Sequence, residues 1–558
     1  MTEPLQIWAP NARTVSIALG GERVRMEPRG DGWWVGPVLE AGADYAICLD
    51  DDPPCPDPRS RWQPNGVHAA SRAVDHQTLD SDRAGFVARP LCDAVIYELH
   101  VGTFSREGTF AAAIAHLDHL RALGVTHVEL MPAAQFPGVF GWGYDGVDLF
   151  AAHAAYGGPS GLRDLVRACH RRQLAVVLDV VHNHVGPDGN YLDRFGPYHS
   201  NKHMTPWGPG INFDDQGARE VRRFFIDSAL AWLEDYELDG LRLDAVHAIA
   251  DTSRPHFIRQ LCDEVDALED RLGRELAIIA EYDDHDPTVV REQGWRCRAH
   301  WNDDFHHALH AQLCGERGGY YGDFTDPSAL PYIFERGYWL DGRHSPFRRG
   351  PHGRPFGDLP RDRLVAYTQS HDQVGNRANG ERLEHLVGPR KAKLAAALLM
   401  VSPFVPMLFQ GEEWAASTPF LFFCDFTSPE LRRAVRDGRA AEHGAPDAFD
   451  PCDAATRDAS VLRWDERVKP EHAAMLAWYR ALIAVRREHP ELRDPSPAST
   501  RATRTGDVLR VERGPFALVA NLADAPAREQ LGDIVLASEP LASAGELPPL
   551  SCVLVHRG

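Results

Sequence analysis

Residues 240–247 read Gly240-Leu241-Arg242-Leu243-Asp244-Ala245-Val246-His247. An apolar run carrying an arginine and an aspartate two positions apart reads as a buried strand with a polar end. Successive side chains of a strand alternate, so Arg242 and Asp244 point the same way. Three further apolar runs end alike: Leu178-Asp179-Val180-Val181-His182-Asn183-His184, Ile278-Ile279-Ala280-Glu281-Tyr282-Asp283, and Gln369-Ser370-His371-Asp372-Gln373-Val374-Gly375-Asn376. Burying an unpaired charge is costly, so core strands should be apolar, and clustered ionisable groups at their ends call for an explanation.

Around these four runs lie the other elements of one pattern. Buried-strand candidates are 94–99, 125–130, 175–181, 238–244, 276–281, 298–301, 364–369 and 405–409. Helical stretches fall between them at 110–123, 161–173, 218–236, 256–271, 305–313 and 390–401. Eight strands alternating with helices predict a parallel (β/α)8 TIM barrel over 91–490, with an insertion at about 183–216 after the third strand. A doubly wound open sheet competes. It would usually carry a glycine-rich turn after its first strand, and Tyr97-Glu98-Leu99-His100-Val101-Gly102 is not one. Residues 1–90 hold short alternating runs punctuated by turn residues, which predicts an N-terminal antiparallel β-sandwich. Residues 491–558 read as a small C-terminal antiparallel β-domain. The fold class is therefore multidomain α/β.

In such a barrel all C-terminal strand ends converge on one face, where active sites sit. The four polar ends would then surround one pocket. A guanidinium beside a carboxylate favours its ionised form, which suits Asp244 to be a nucleophile. Glu281 follows an apolar run, and a partly buried carboxyl keeps its proton. One ionised and one protonated carboxyl are what retaining glycoside cleavage requires. His371-Asp372 adds a hydrogen-bond donor and a third carboxylate. Each residue alone has an ordinary explanation: Arg242–Asp244 a structural ion pair, His182 a satisfied core histidine, Asn302 or Asp303 a helix cap. Four polar ends in order favour catalysis.

Two metal readings compete. Asp179, His182 and His184 offer ligands at one strand end, but no lysine or further histidine pair completes a two-metal set. His306 and His310 are one helical turn apart, without the glutamate of HExxH. No cofactor and no metal are expected.

Composition narrows the partners. The 558 residues are 44% hydrophobic and 25% charged, so most of the chain can bury a core. The formal charge of −21 repels a polyphosphate, and nucleic acid is not an expected partner. The most apolar stretch, 394–409, is broken by Pro403 and Pro406 and falls short of a membrane span. The first residues lack the pattern of a signal peptide. Ten cysteines, none in a CxxC pair, read as reduced thiols of a cytoplasmic protein.

The four strand ends resemble the four characteristic regions of the α-amylase family of glycoside hydrolases, family 13. Asp179 to His184 is similar to region one, Gly240 to His247 to region two, Ala280-Glu281 to region three, and Ser370-His371-Asp372-Gln373 to region four. The resemblance implies Asp244 as nucleophile, Glu281 as acid/base, and Asp372 as the residue holding the distorted sugar ring. It implies Arg242, His182 and His371 as contacts around the cleaved glucose, with Tyr144 stacked beneath it. It extends the substrate contacts to Leu243, Ala245, Val246, His247, Gln373 and Asn376 beside these residues, and to Asn302, Asp303 and His306 around the cut. Trp142, Tyr191, Trp207 and Trp301 are further candidates for sugar stacking.

Longer stretches resemble one branch of that family. They include Ile96 to Phe104, Phe140 to Val147, Thr205-Pro206-Trp207-Gly208, Trp301 to His310 and Met407 to Trp414. That branch implies maltooligosyltrehalose as substrate, cut at the α-1,4 bond beside its trehalose unit, and maltooligosyltrehalose synthase as pathway partner. Tyr282 departs from the pattern, which has a small residue such as serine there; it is expected to reshape the pocket edge. The alternatives are a glycogen branching or debranching enzyme and a non-catalytic glucan-binding protein on the same scaffold. The latter would be expected to have lost one of the three carboxylates.

Overall fold

The computed structural model describes residues 4–76, 83, 85–444, 449–541, 543 and 545–557. Residues 1–3, 77–82 and 84 of the expected N-terminal unit, and 542, 544 and 558 of the C-terminal one, lie outside the described residues. Eight parallel strands close a barrel: β1 (Ile96–Leu99), β2 (His127–Leu130), β3 (Ala175–Val180), β4 (Gly240–Leu243), β5 (Ala277–Ala280), β6 (Ala299–Trp301), β7 (Leu364–Tyr367) and β8 (Val405–Phe409). Each strand pairs with its neighbours in chain order, and β8 pairs β1 to complete the cylinder. All lie within the predicted runs. β3, β4, β5 and β7 stop one or two residues short at their C-terminal ends, where the polar residues leave the ladder.

Between the strands run α1 (Leu117–Leu123), α2 (Gly158–Arg171), α3 (Ala218–Asp235), α4 (Phe257–Leu272), α5 (Asp303–Cys314) and α6 (Leu383–Val401), and α7 (Pro429–His443) and α8 (Pro470–Glu488) follow β8. The predicted 110–123 helix is two pieces: Phe110–Ile114 ends at Ala115, and α1 begins beyond His116. α6 starts seven residues before the predicted 390 but kinks at Gly388, φ 76°. Pro389 then opens the straight part, as proline does in a first turn. α7 buries no residue fully; its apolar stripe is short, with Leu431 and Val435 packed partly buried against Cys424, Phe426 and Cys452. The insertion between β3 and α3 carries the hairpin His199–Thr205/Gly208–Ile211.

Before the barrel lie two antiparallel sheets. One joins Pro4–Trp8, Trp33–Val38 and Glu27–Gly30; the other joins Glu22–Arg25, Val15–Leu19, Asp44–Leu49 and Ser71–Arg72. Their buried side chains, Ile7, Ile17, Trp34 and Ile47 among them, belong to the same apolar cluster as the barrel's outer layer. Trp33 Nε1 donates to Glu220 Oε2 of α3 at 3.2 Å. After the barrel a five-stranded antiparallel sheet runs Thr500–Thr505, Val508–Arg513, Phe516–Asn521, Ser551–His556, Asp533–Ala537. Its first strand, Thr-Arg-Ala-Thr-Arg-Thr, was not among the sequence candidates because two of its six residues are charged. Lys393 of α6 ties the sheet to the barrel through Ser538 O at 3.1 Å. No helix of the described residues is long and apolar enough to cross a membrane.

Candidate active site

The C-terminal ends of β3, β4 and β5 meet around one guanidinium. Arg242 Nη1 donates to Asp179 Oδ2 at 2.7 Å and to Asp244 Oδ1 at 2.9 Å, while Nη2 donates to Glu281 Oε2 at 2.7 Å. The fork lies over the Trp301 ring, with Cζ 4.2 Å from the centroid. Only arginine offers planar donors able to serve three carboxyls at once. Asp244 is further held by Asn183 Nδ2, 2.6 Å from Oδ2. Ala245 follows in the left-handed region, φ 39°, which a non-glycine residue rarely adopts. That turn aims the Ala245 N–H at Glu281 Oε2, 2.9 Å away.

The two carboxyls end in opposite protonation states. Burial pushes Asp244 up, but the Arg242 charge, His184 and the hydrogen bonds from Asn183 and Arg242 outweigh it, and its pKa lies below the ordinary 3.8. Burial also pushes Glu281 up. Arg242 opposes this, yet Asp244, Asp372 and Asp303 add negative charge, and Glu281 reaches about 8. Both Arg242 and Ala245 donate to Oε2, so the proton belongs on Oε1, the oxygen without a donor among the described residues.

The loop after the second strand and the end of the seventh supply the other wall. Tyr144 OH donates to Asp179 Oδ2 at 2.6 Å and lies 2.9 Å from His371 Nε2. Ser370 caps the short helix His371–Gly375, and Gln373 completes the box by accepting from Ser370 N at 2.9 Å. Asp372 accepts from Asn376 Nδ2 at 2.7 Å. Asn376 Oδ1 in turn accepts from Arg439 Nη1 of α7 at 3.0 Å. Asn376 thus bridges Asp372 to a surface helix. Asp303, half-buried, accepts from the Tyr367 hydroxyl and is raised to about 6 by burial and by Asp283. His247 stands exposed at the rim.

Burial decides what several of the expected contact residues can present. Leu243 and Val246 face the apolar core at 1% and 0% exposure and present nothing to a sugar. Ala245 acts through its backbone N–H. Asn302 is fully buried and spends its amide on Gly337 O at 3.1 Å. His306 is buried too, its nitrogens on Thr368 O and the Tyr321 hydroxyl. His182 packs among Phe225 and Phe257, and burial lowers it to about 3, so its ring is neutral. Trp301 and Trp142 are buried, Trp142 donating to Leu421 O at 2.9 Å. Trp207 is 51% exposed and lies flat on His184, centroids 4.8 Å apart. The Tyr282 ring is not at the pocket edge: it is buried against Trp295 at 5.3 Å.

Most candidate ligand atoms of the two metal readings are engaged by protein partners. Arg242 and Tyr144 both take Asp179 Oδ2, His184 is held by Asn183 and Tyr144 O, and His310 by Glu316, while Asp179 Oδ1 and His182 Nδ1 have no partner among the described residues. Asp283, His285 and His352 also converge, but they serve one another: His285 Nδ1 meets His352 Nε2 at 3.0 Å, His352 reaches Asp283 O, and Asp283 pairs with Arg348. The sequence reading missed Asn183, Glu98 and Arg439. Asn183 and Glu98 stood inside quoted motifs, whereas nothing in the sequence marks Arg439.

A family model described as the alpha amylase catalytic domain matches residues 76–205. The malto-oligosyltrehalose trehalohydrolase of Arthrobacter ramosus is 45% identical over 556 residues and covers 96% of each chain. That of Saccharolobus solfataricus is 44% identical over 490 residues, 87% of this chain and 85% of its own. A crystal structure from Salmonella typhimurium, named for an alpha amylase, superposes with a TM-score of 0.93 at 37% identity, covering 99% of this chain and 97% of its own. With this barrel, this carboxyl cluster and relatives so similar along nearly its whole length, the chain belongs to the malto-oligosyltrehalose trehalohydrolase family of α-amylase-type glycoside hydrolases.

Proposed function

We propose that the protein cleaves the α-1,4-glucosidic bond beside the terminal trehalose of maltooligosyltrehalose and releases trehalose and a shortened maltooligosaccharide. One observation carries the chemistry: a single guanidinium holds Asp244 and Glu281 together while their surroundings leave the first ionised and the second protonated. Asp244 attacks the anomeric carbon as Glu281 Oε1 protonates the leaving oxygen of the trehalose unit. A covalent glycosyl-enzyme forms. Water then attacks it, with Glu281 as base, and two inversions retain the α-configuration.

Asp372 takes the role of holding the distorted ring, and His371, Tyr144, His182 and Arg242 shape the subsite around the cleaved glucose. Asp303, His247, Gln373 and the exposed Trp207 border it. The names of the relatives support the choice of substrate. The reading also carries the division into 1–90, 91–490 and 491–558, the synthase as pathway partner, and action in the cytoplasm.

The test is to incubate the purified protein with maltotriosyltrehalose and, separately, with maltopentaose. Trehalose released from the first, with the second cut far more slowly, is the expected result. Equal cleavage of both, or a branched product from long glucan, overturns it.

A further inference from the structure

Glu98 belongs to no step above, yet both its oxygens are engaged inside the barrel. It sits on β1, in register with Glu129 of β2, and is 1% exposed. Its two oxygens go to one residue: Oε2 accepts from His371 N at 3.0 Å, and Oε1 meets His371 Nδ1 at 2.5 Å. From there a continuous chain runs to the reaction centre. His371 Nε2 lies 2.9 Å from the Tyr144 hydroxyl, Tyr144 donates to Asp179 at 2.6 Å, and Asp179 accepts from Arg242 at 2.7 Å. We propose that Glu98 is a positioning residue for the hydrolysis: by holding His371 as a donor on both nitrogens it directs the Tyr144 hydroxyl proton onto Asp179 and so fixes the guanidinium that carries both catalytic carboxyls. The inference rests on the hydrolase reading above.

The physical point is that Tyr144 has one proton and two takers. With His371 charged, Nδ1–H faces Glu98 and Nε2–H faces the Tyr144 oxygen, so the tyrosine proton is free for Asp179. With His371 neutral and its remaining proton on Nδ1, Nε2 is a lone pair that competes for that proton, and Asp179 loses a partner. The groups around the imidazole are Glu98 on β1, Glu129 on β2, Asp179 on β3, Arg242 on β4, Asp372 on its own helix, Tyr144 and His100. Burial disfavours the cation and Arg242 opposes it, yet Glu98, with a lesser part from Asp372, raises His371 to about 9. Glu129 stays protonated, pushed up by burial and by the Glu98 charge, and both its oxygens lack a partner among the described residues.

The experiment pairs kinetics with a direct reading of His371. In the wild-type protein labelled at histidine carbons, with the signal assigned against His371→Gln, His371 is expected to stay protonated past about pH 8. In Glu98→Gln it should titrate below its ordinary 6.5, because burial and Arg242 then act against Asp372 alone. With maltotriosyltrehalose, Glu98→Gln should lose about 10²-fold in kcat at neutral and alkaline pH with KM little changed, and regain activity only as the pH falls toward the lowered His371 pKa. Glu129→Gln, which exchanges one neutral group for another next door, should keep wild-type activity and a wild-type His371 titration. A wild-type His371 that titrates near 6.5 overturns the proposal even if Glu98→Gln fails to fold, as does wild-type kinetics in a folded Glu98→Gln. If the wild-type enzyme releases no trehalose, the hydrolase reading fails instead, and the His371 titration still decides whether Glu98 holds the charge.

Discussion

Replacing Arg242 tests the arrangement where it is most concentrated. Three charge-assisted hydrogen bonds and a cation–ring contact converge on this buried side chain. Lysine keeps the charge but not the fork, so at least one of Asp179, Asp244 and Glu281 loses its partner. Breaking a buried charge pair costs about 3–5 kcal/mol. Lost from the transition state, that is about 10²–10⁴-fold in kcat/KM for Arg242→Lys. Arg242→Gln removes the charge as well. Arg242 is the largest of the influences that lower Asp244, so the carboxyl should rise and the acid limb of the pH profile should move to higher pH. The assay is trehalose release from maltotriosyltrehalose between about pH 4 and pH 9, where kcat/KM reports the free enzyme's groups. An Arg242→Lys enzyme within a few-fold of wild type would refute the reasoning, as would an Arg242→Gln acid limb that does not move.

Two further outcomes follow from Glu281. As the proton donor it must be protonated, so kcat/KM should fall as the pH rises through about 8, and a profile flat to pH 10 would remove it as the acid. Its raised pKa also has a sign for stability: the folded protein keeps a proton that the unfolded chain gives up near 4.5. The contribution is fully present below 4.5 and is lost as the pH rises through about 8. Glu281→Gln lacks that dependence, so its melting temperature relative to wild type should climb from acid pH to about pH 8 and then level. A constant difference across the range would contradict the shift.

The barrel was legible because each strand is a short apolar run and four of the C-terminal tips break that pattern with charge. Asp244, Glu281 and His371 could be found for the same reason: a charge inside an apolar strand has few structural excuses. What a motif cannot tell is which way a neighbouring side chain turns. Leu243 and Val246 flank Asp244 in the chain, but strand alternation and the turn at Ala245 send both into the core. Asn302 and His306 sit in a stretch that resembles substrate-contacting sequence, yet they serve Gly337 and Thr368 and hold the barrel rim. Arg439 was invisible because its role depends on α7 folding back over Asn376, a long-range contact without a local pattern. Glu98 stood in plain sight within Tyr97-Glu98-Leu99-His100; its partner lies 273 positions away.

The most direct measurement is to trap the intermediate. Glu281→Gln should still let Asp244 attack an α-maltosyl fluoride, whose leaving group needs no acid, and should be slow to release the sugar because no base activates water. Intact mass followed by peptide mapping should show one maltosyl unit on the peptide carrying Asp244, and Asp244→Asn should show none. A sugar found on another carboxylate, or fluoride released with inverted product and no adduct, would contradict the assignment of Asp244 as nucleophile.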